Sequence, residues 1–417
     1  MIPKVHPSVV LALTQLIAEG SAFLRSLILA RMIGVEEMGL AIAIALGIRV
    51  FEMAGDLGLV RLLVQVEARE LDRVRGTVHL IRAVKACLLT GIALMFAVPI
   101  TAAINANLSP QIFALAAVAI IIRGVVNCEF RERQRQQDFG GVFIVEAGSN
   151  LAALIAIGPI ALLVGDYSAL AWASLMQAAI MCVLSHVIAV RRMSWIVDTE
   201  TIKTALRFGI PLACNGALIF LAMQGDRLIV ALNFSPESLA KFAVAAQLTL
   251  LPTLAGARFL LAYDLPRFAR LIPGSRELEL YFHDRLIVVA GIATLLAIGL
   301  SFFGNNIVAL LFGADYVSAP AVMALLAITA GVRLIRSVPN TLLIATQRTS
   351  MMLACNLPRI IALIVALILV ANGADLVKVV ALGLVSEATG LVLGLSALGG
   401  IDRSQFRLRE SSAVISS

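Results

Sequence analysis

Residues 23–65 read FLRSLILARMIGVEEMGLAIAIALGIRVFEMAGDLGLVRLLVQ, two apolar runs on either side of the short acidic turn Gly34-Val35-Glu36-Glu37. Each run is long enough to cross a bilayer as a helix, which takes about 20 residues. The pair nonetheless carries Arg25, Arg49, Glu52 and Asp56 inside its apolar stretches. A charge at membrane depth is costly, so it faces a cavity or a partner. An echo of the stretch lies 201 residues downstream: LILARMIGVEEMGLAIAIA (27–45) aligns without a gap on LIVALNFSPESLAKFAVAA (228–246), matching Leu27/Leu228, Ile28/Ile229, Ala30/Ala231, Glu36/Glu237 and Ala45/Ala246. A helix pair that recurs after nearly half the chain points to a duplication.

Composition agrees. The chain is 60% hydrophobic and only 14% charged, with a mean hydropathy of +0.97; soluble domains carry roughly 25% charged residues. The N-terminal segment MIPKVHPSVVLALTQLIAEG reads as a first membrane helix, because its apolar run exceeds a signal-peptide core and lacks a small-residue cleavage site. Cys87, Cys128, Cys182, Cys214 and Cys355 are widely spaced; with no CxxC or His/Cys cluster they read as small core residues, and no metal or cofactor is expected. The formal charge of +7 is a topology signal, since no soluble basic domain for nucleic acid is present.

Apolar windows predict twelve spans, at about 8–32, 38–64, 78–100, 110–130, 142–164, 168–190, 207–232, 239–263, 283–304, 319–345, 350–371 and 376–398. Alternate links are basic: Arg69, Arg73 and Arg75; Arg131, Arg133 and Arg135; Arg191, Arg192 and Lys203; Arg267, Arg270 and Arg276; Arg348; and the tail with Arg403, Arg407 and Arg409. The other links hold no Lys or Arg, only acids such as Glu36, Glu237, Asp315 and Asp375. The positive-inside rule then places both termini in the cytoplasm. Arg123, Asn127, Gln134 and Arg135 recur 213 residues on as Arg336, Asn340, Gln347 and Arg348. Six spans per half is an even number, so the repeats are parallel, with a substrate path expected between them. The expected organisation is therefore all-α and integral to the membrane: a six-helix lobe over 1–200, a second over 201–400, and a cytoplasmic tail over 401–417. Pro159, Pro211, Pro252, Pro339 and Pro358 fall inside spans, where each frees a carbonyl and allows a kink. No link exceeds roughly 20 residues, which leaves no room for an extramembrane catalytic domain.

The segments LARMIGVEEMGL (29–40), DLGLVRLLVQ (56–65), LRFGIPL (206–212), GDRLIVAL (225–232), DLPRFARL (264–271) and LLFGADYVSA (310–319) resemble the polysaccharide transporter family. These are flippases of lipid-linked oligosaccharides, in the superfamily of the multidrug and toxin extruders (MATE) and the lipid II flippase. Val35, Met38, Ser235, Ala240 and Phe242 depart from the residues common in that family. The resemblance implies a MATE-like pair of six-helix lobes alternating between cytoplasm-open and periplasm-open forms. It implies a cargo of oligosaccharide on a polyprenyl diphosphate, moved from the inner to the outer leaflet of a bacterial inner membrane for cell-surface polysaccharide (lipopolysaccharide or exopolysaccharide) synthesis. Implied partners are membrane lipids, a polysaccharide polymerase and a chain-length regulator. The lipid II flippase similarly lines its cavity with arginines on its first two helices.

The candidate site residues are the deep charges. Arg25 and Arg49 suit a diphosphate, because the planar guanidinium fork matches its oxygens; the competing reading is an internal ion pair with Glu52 or Asp226. Arg49, Glu52 and Asp56 share one helical stripe by their spacing. It reads either as a proton-coupling site or as a charge-balanced seam against the first span. Asp226 is the repeat equivalent of Arg25, which makes it a gating candidate or a pairing partner within its own lobe. Arg258 and Arg333 are further cavity candidates, while Arg336 is expected near enough to a helix end to snorkel. Glu146 and Arg359 match under the 213 offset with opposite charge, consistent with pairing between lobes. Glu19 and Glu387 are further polar groups at membrane depth, and His186 reads as a hydrogen-bonded core residue. No GxxxxGK[ST] motif occurs, so coupling is expected to a proton or the membrane potential. Rival readings are a drug or cation exporter of the same fold, which would favour carboxylates and aromatics over arginines, a membrane-embedded glycan-modifying enzyme, and a membrane scaffold for a glycan assembly complex.

Overall fold

The computed structural model describes residues 7–54, 57–66, 69–105, 107–272 and 275–399. They form helices joined by short links, with no strand among them. The decisive stretch forms α1 (Pro7–Met32) and α2 (Val35–Ala54), broken where the sequence turns acidic at Gly34. Then follow α3 (Leu59–Gln65), α4 (Leu71–Met95), α5 (Ala97–Ile104) and α6 (Pro110–Gly124). After them come α7 (Glu129–Glu132), α8 (Gly140–Val164) and α9 (Ser168–Val187). The remaining helices are α10 (Thr199–Asn233), α11 (Pro236–Arg270), α12 (Arg276–Leu311), α13 (Pro320–Ala345), α14 (Thr349–Ala371) and α15 (Leu376–Gly399).

The α1–α2 corner recurs at its predicted place. α1 ends at Met32 and α2 starts at Val35; α10 ends at Asn233 and α11 starts at Pro236, each 201 residues later. The two corners touch. A Cβ added at Gly39 would fall 1.9 Å from the carbonyl oxygen of Pro236, so only glycine admits this approach of backbones.

Packing divides the chain into two units, Met1–Leu221 with Ala231–Ala240, and Ala222–Val230 with Lys241–Ser417. Within the first, α4 packs on α6, α6 on α9, α9 on α8, and α8 on α1. Within the second, α12 packs on α13, α13 on α15, and α15 on α14. The guanidinium of Arg359 on α14 reaches back to residues 222 and 226 of α10. Counted in spans, both units repeat one order of neighbours, which is what a duplicated bundle must do. Small residues line these contacts: Ala86, Ala116, Ala117, Ala153, Ala173 and Ala178 are buried in the first unit, as expected where helices associate in lipid by close backbone approach. Leu260, Phe268, Val289, Ala293, Leu334 and Leu342 form a core in the second.

Among the described residues, ten helices can cross a membrane by length and composition, or eleven if a bent pair is one span. Twelve were expected. The expected span 38–64 does not count by this measure because α2 carries Glu36, Glu37, Arg49 and Glu52 within its 20 residues, and residues 55 and 56, between α2 and the short α3, lie outside the described residues. The bent pair is α6 with the segment Glu129–Gln136, turned by 56°. Arg82 of α4 explains the break, for it donates to the carbonyl oxygens of Arg123 and Val126, both at 2.8 Å. Those carbonyls no longer need a continuing helix. All five expected mid-helix prolines lie inside helices. The cysteines are free; Cys128 and Cys355 are buried as expected, but Cys87 and Cys214 are exposed.

Candidate functional site

Two systems of charge lie at membrane depth, one in each unit. In the first, the spacing of three between Arg49 and Glu52 puts both on one side of α2. α6 starts with Pro110 at its first turn and ends after Arg123. Arg49 is about 21 Å past the start of α2, and Arg123 about 20 Å past the start of α6, at 1.5 Å per residue. Both helices start from links without basic residues, so the two arginines reach similar depth. The Arg123 guanidinium forms an ion pair with Glu52. Arg25 on α1 is half-buried, and Arg49 and Arg123 lie near enough for their charges to repel its own. Arg49 is exposed. Among the described residues neither Arg25 nor Arg49 forms an ion pair. Three guanidiniums therefore share Glu52 as their one paired carboxylate among the described residues; Asp56, expected on the same stripe, lies outside those residues.

Glu52 does not form the anticipated seam against α1, because Arg123 of α6 takes it. Glu146 and Arg359 each take a partner within their own unit. Glu146 sits in a π-helical turn, Phe143–Ala147, inside α8 and pairs with Arg131 at 2.7 Å. The side chains of Ser149 and Asn150 donate to its backbone carbonyl at 3.1 and 2.8 Å, satisfying the oxygen that the widened turn leaves over. His186 is hydrogen-bonded, to Val125 O at 3.0 Å, but is exposed and not core.

The second unit is built differently. On α15, Gly383, Ser386, Glu387 and Gly390 recur at helical spacing and make a narrow polar face. Glu387 receives Arg333 from α13 through Nε at 3.0 Å and an Nη at 2.7 Å, and Arg336 at 2.6 Å. Arg336 also donates to Asn356 Oδ1. Gly390 makes room for this, since a Cβ there would lie 2.9 Å from the Arg336 guanidinium. One turn along, Arg359 donates to Asp226, to Ser386 Oγ at 3.4 Å and to Ala222 O at 3.0 Å. Arg336, Arg359 and Glu387 are 7%, 5% and 5% exposed, so Arg336 does not snorkel; it is held inside by Glu387. Arg258 is exposed on α11.

A polar cap closes one end of the first unit. Arg75 bridges Asp72 and Glu132 at 2.6 and 3.2 Å, and His79 Nε2 accepts from the Cys128 backbone N–H at 3.2 Å. The segment after α9 is tied to this cap: Asn127 donates to Arg191 O, the Arg191 N–H to Glu129, and Arg73 to Asp198 at 2.6 Å. Hydrogen bonds from the Thr201 hydroxyl and the Arg73 guanidinium hold the Asp198 carboxyl below the usual carboxylate range.

Sequence reasoning singled out Arg25, Arg49 and Glu52; the structure sets Arg25 within charge range of Arg49 and Arg123 and pairs Glu52 with Arg123. Sequence reasoning did not assign Arg123 to them, although Arg123 stood out as a repeat marker. Among the described residues no group of His, Cys, Asp and Glu could hold a metal ion.

The fold has solved relatives. A multidrug resistance MATE transporter of the MOP superfamily, in an inward-facing conformation, superposes with a TM-score of 0.66 at 14% identity, covering 99% of this chain and 100% of that one. The lipid II flippase MurJ, inward closed, gives 0.72 at 14% identity over 96% and 88%. The eukaryotic MATE transporter AtDTX14 gives 0.61 at 12% over 94% and 95%. No curated protein sequence matches the chain. The profile of the family described as "Polysaccharide biosynthesis protein" matches residues 28–321, a stretch that starts in the first corner and includes its repeat. The chain is a member of that polysaccharide biosynthesis family, with the fold of the MATE and MurJ transporters.

Proposed function

We propose that the protein is an alternating-access flippase that moves an oligosaccharide on a polyprenyl diphosphate from the inner to the outer leaflet of a bacterial inner membrane, with both termini cytoplasmic. The observation that carries this reading is the arginine cluster of the first unit, Arg25, Arg49 and Arg123, with Glu52 as its one paired carboxylate among the described residues. Like charges in a medium of low dielectric repel strongly. A diphosphate supplies the missing negative charge, and guanidiniums bind its oxygens in bidentate fashion. Cation export fits poorly, because a cationic drug would meet this repulsion. Membership of a polysaccharide biosynthesis family supports a glycan cargo.

The mechanism follows from charge balance. Without cargo, Glu52 neutralises Arg123. An arriving diphosphate engages Arg25 and Arg49 and competes with Glu52 for Arg123. Release returns Arg123 to Glu52, which compensates one of the three guanidiniums of the emptied cluster. Arg258, Arg333 and Asp226 were the other candidates. Arg333 and Asp226 each hold an ion-pair partner within the second unit, which assigns them to its framework in this reading; Arg258, exposed on α11, takes no part in holding the diphosphate.

The test is reconstitution of the purified chain in vesicles with a fluorescent polyprenyl-diphosphate oligosaccharide, scored by chemical quenching of the outer leaflet. The protein should speed translocation, and a monophosphate analogue should be moved more slowly. Equal movement of a cationic dye with no movement of the glycolipid would transfer the function to cation export.

A further inference from the structure

α11 and α12 are 35 and 36 residues long, about 50 Å each at 1.5 Å per residue, against a hydrocarbon core of about 30 Å. Their joined ends must therefore stand beyond the hydrocarbon, and the expected apolar limits put Tyr263 and Arg285 at that boundary. There, Arg267 lies 3.9 Å from the Tyr263 ring centroid, and Arg285 lies 5.4 Å from the same ring and 5.1 Å from Tyr281. Asp264, 2% exposed, is the carboxylate beneath. Its Oδ1 already accepts the Tyr281 hydroxyl at 2.5 Å, and Arg285 Nε sits 3.4 Å away without a hydrogen bond to it. Two guanidiniums thus share the Tyr263 ring, Arg267 also donating to the Tyr281 hydroxyl at 3.5 Å, and the one carboxylate beside Arg285 is already partly spent on Tyr281. Phe259 stacks on Tyr263 at 5.5 Å, and both are exposed. Ile292 continues an exposed apolar surface along α12 on the hydrocarbon side.

We propose that this ring cluster binds the headgroup phosphate of an anionic phospholipid, with Arg267 and Arg285 on its oxygens and the acyl chains along Phe259. The Tyr263 ring holds the guanidiniums flat and close by cation–π attraction, which is strongest where water is partly excluded, and their N–H edges remain available for a phosphate. Aromatic side chains favour this interfacial depth. Glu277 and Glu279 lie a turn or so further into water on α12, where salt screens them. A bound headgroup would pin the α11–α12 hairpin at a fixed height. The proposal is independent of the cargo.

The experiment uses the full chain in nanodiscs with spin-labelled phosphatidylglycerol or phosphatidylcholine, and no cargo. The wild type should hold the anionic label several-fold more strongly, and Arg267→Gln should reduce that preference about fivefold, as expected for one cation near an anionic surface. Arg267→Gln keeps the Asp264–Arg285 pair, so the fold is preserved; Arg267→Lys should retain most of the preference. A preference unchanged in both Arg267→Gln and the Arg267→Gln/Arg285→Gln double variant would overturn the site. Displacement of the labelled lipid by millimolar inorganic pyrophosphate would also overturn it, by making it a soluble-anion site.

Discussion

The two units repeat one order of helix neighbours but treat buried charge in opposite ways. In the second, Arg333 and Arg336 converge on Glu387, and Arg359 closes on Asp226. In the first, the repeat equivalents are inverted. Arg25 stands where the second unit has Asp226, and Glu146 stands where it has Arg359. Glu146 is drawn to Arg131, while Arg25 is left beside Arg49 and Arg123. One copy thus ties Arg333, Arg336 and Arg359 into ion pairs between helices, while the other leaves Arg25 and Arg49 without one among the described residues. A charged pair buried in protein costs desolvation and is sustained by its geometry, whereas an uncompensated cluster is sustained only by what it binds.

The largest effect is expected where compensation is complete. Glu387→Gln leaves Arg333 and Arg336 facing each other and should destabilise the protein by ~3–5 kcal/mol, read as a marked fall in thermal stability in detergent. Next, Arg49→Ala should leave thermal stability nearly unchanged while reducing glycolipid translocation roughly 10- to 100-fold, the equivalent of one charge-assisted contact; Arg49→Lys should restore only part. If both substitutions unfold the protein, the contrast between the units is gone. Third, Glu52→Gln frees Arg123, so it should tighten binding of the diphosphate and slow its release. Weaker binding would mean that Glu52 supports the site and does not compete for it.

The smallest effect belongs to the segment after α9. Asp198 has a depressed folded-state pKa, so the stability that it adds is present above its unfolded pKa and is lost as pH falls through the lower, folded value. Asp198→Asn should flatten that acid-range loss and change little at neutral pH, which limited proteolysis of the segment as a function of pH would reveal. An identical acid profile for the variant would remove Asp198 from the docking.

Much of this was legible in the sequence because membrane helices announce themselves locally. The corner at Gly34, its echo at residue 235 and the five internal prolines all depend on neighbours within a few positions. The count of spans was less legible, since α2 combines a spanning length with charges that its apolar average conceals, and Arg82 ends α6 by capping carbonyls from another helix. The charge partners were least legible. Glu52 and Arg123 are 71 residues apart, Arg336 and Glu387 are 51 apart, and Arg359 and Asp226 are 133 apart. Glu387 was visible as a polar group at membrane depth, but nothing local says which arginines meet it. Arg336 looked like a snorkelling residue for that reason.

The central claim is that the first unit alone offers arginines to a diphosphate. It is tested most directly by measuring equilibrium binding of a polyprenyl diphosphate to the purified wild type, to the Arg25→Gln/Arg49→Gln variant and to Arg258→Gln, with thermal stability recorded for each. Saturable binding should disappear in the double variant at unchanged stability and persist in Arg258→Gln. Binding that survives the double variant at wild-type affinity would contradict the account.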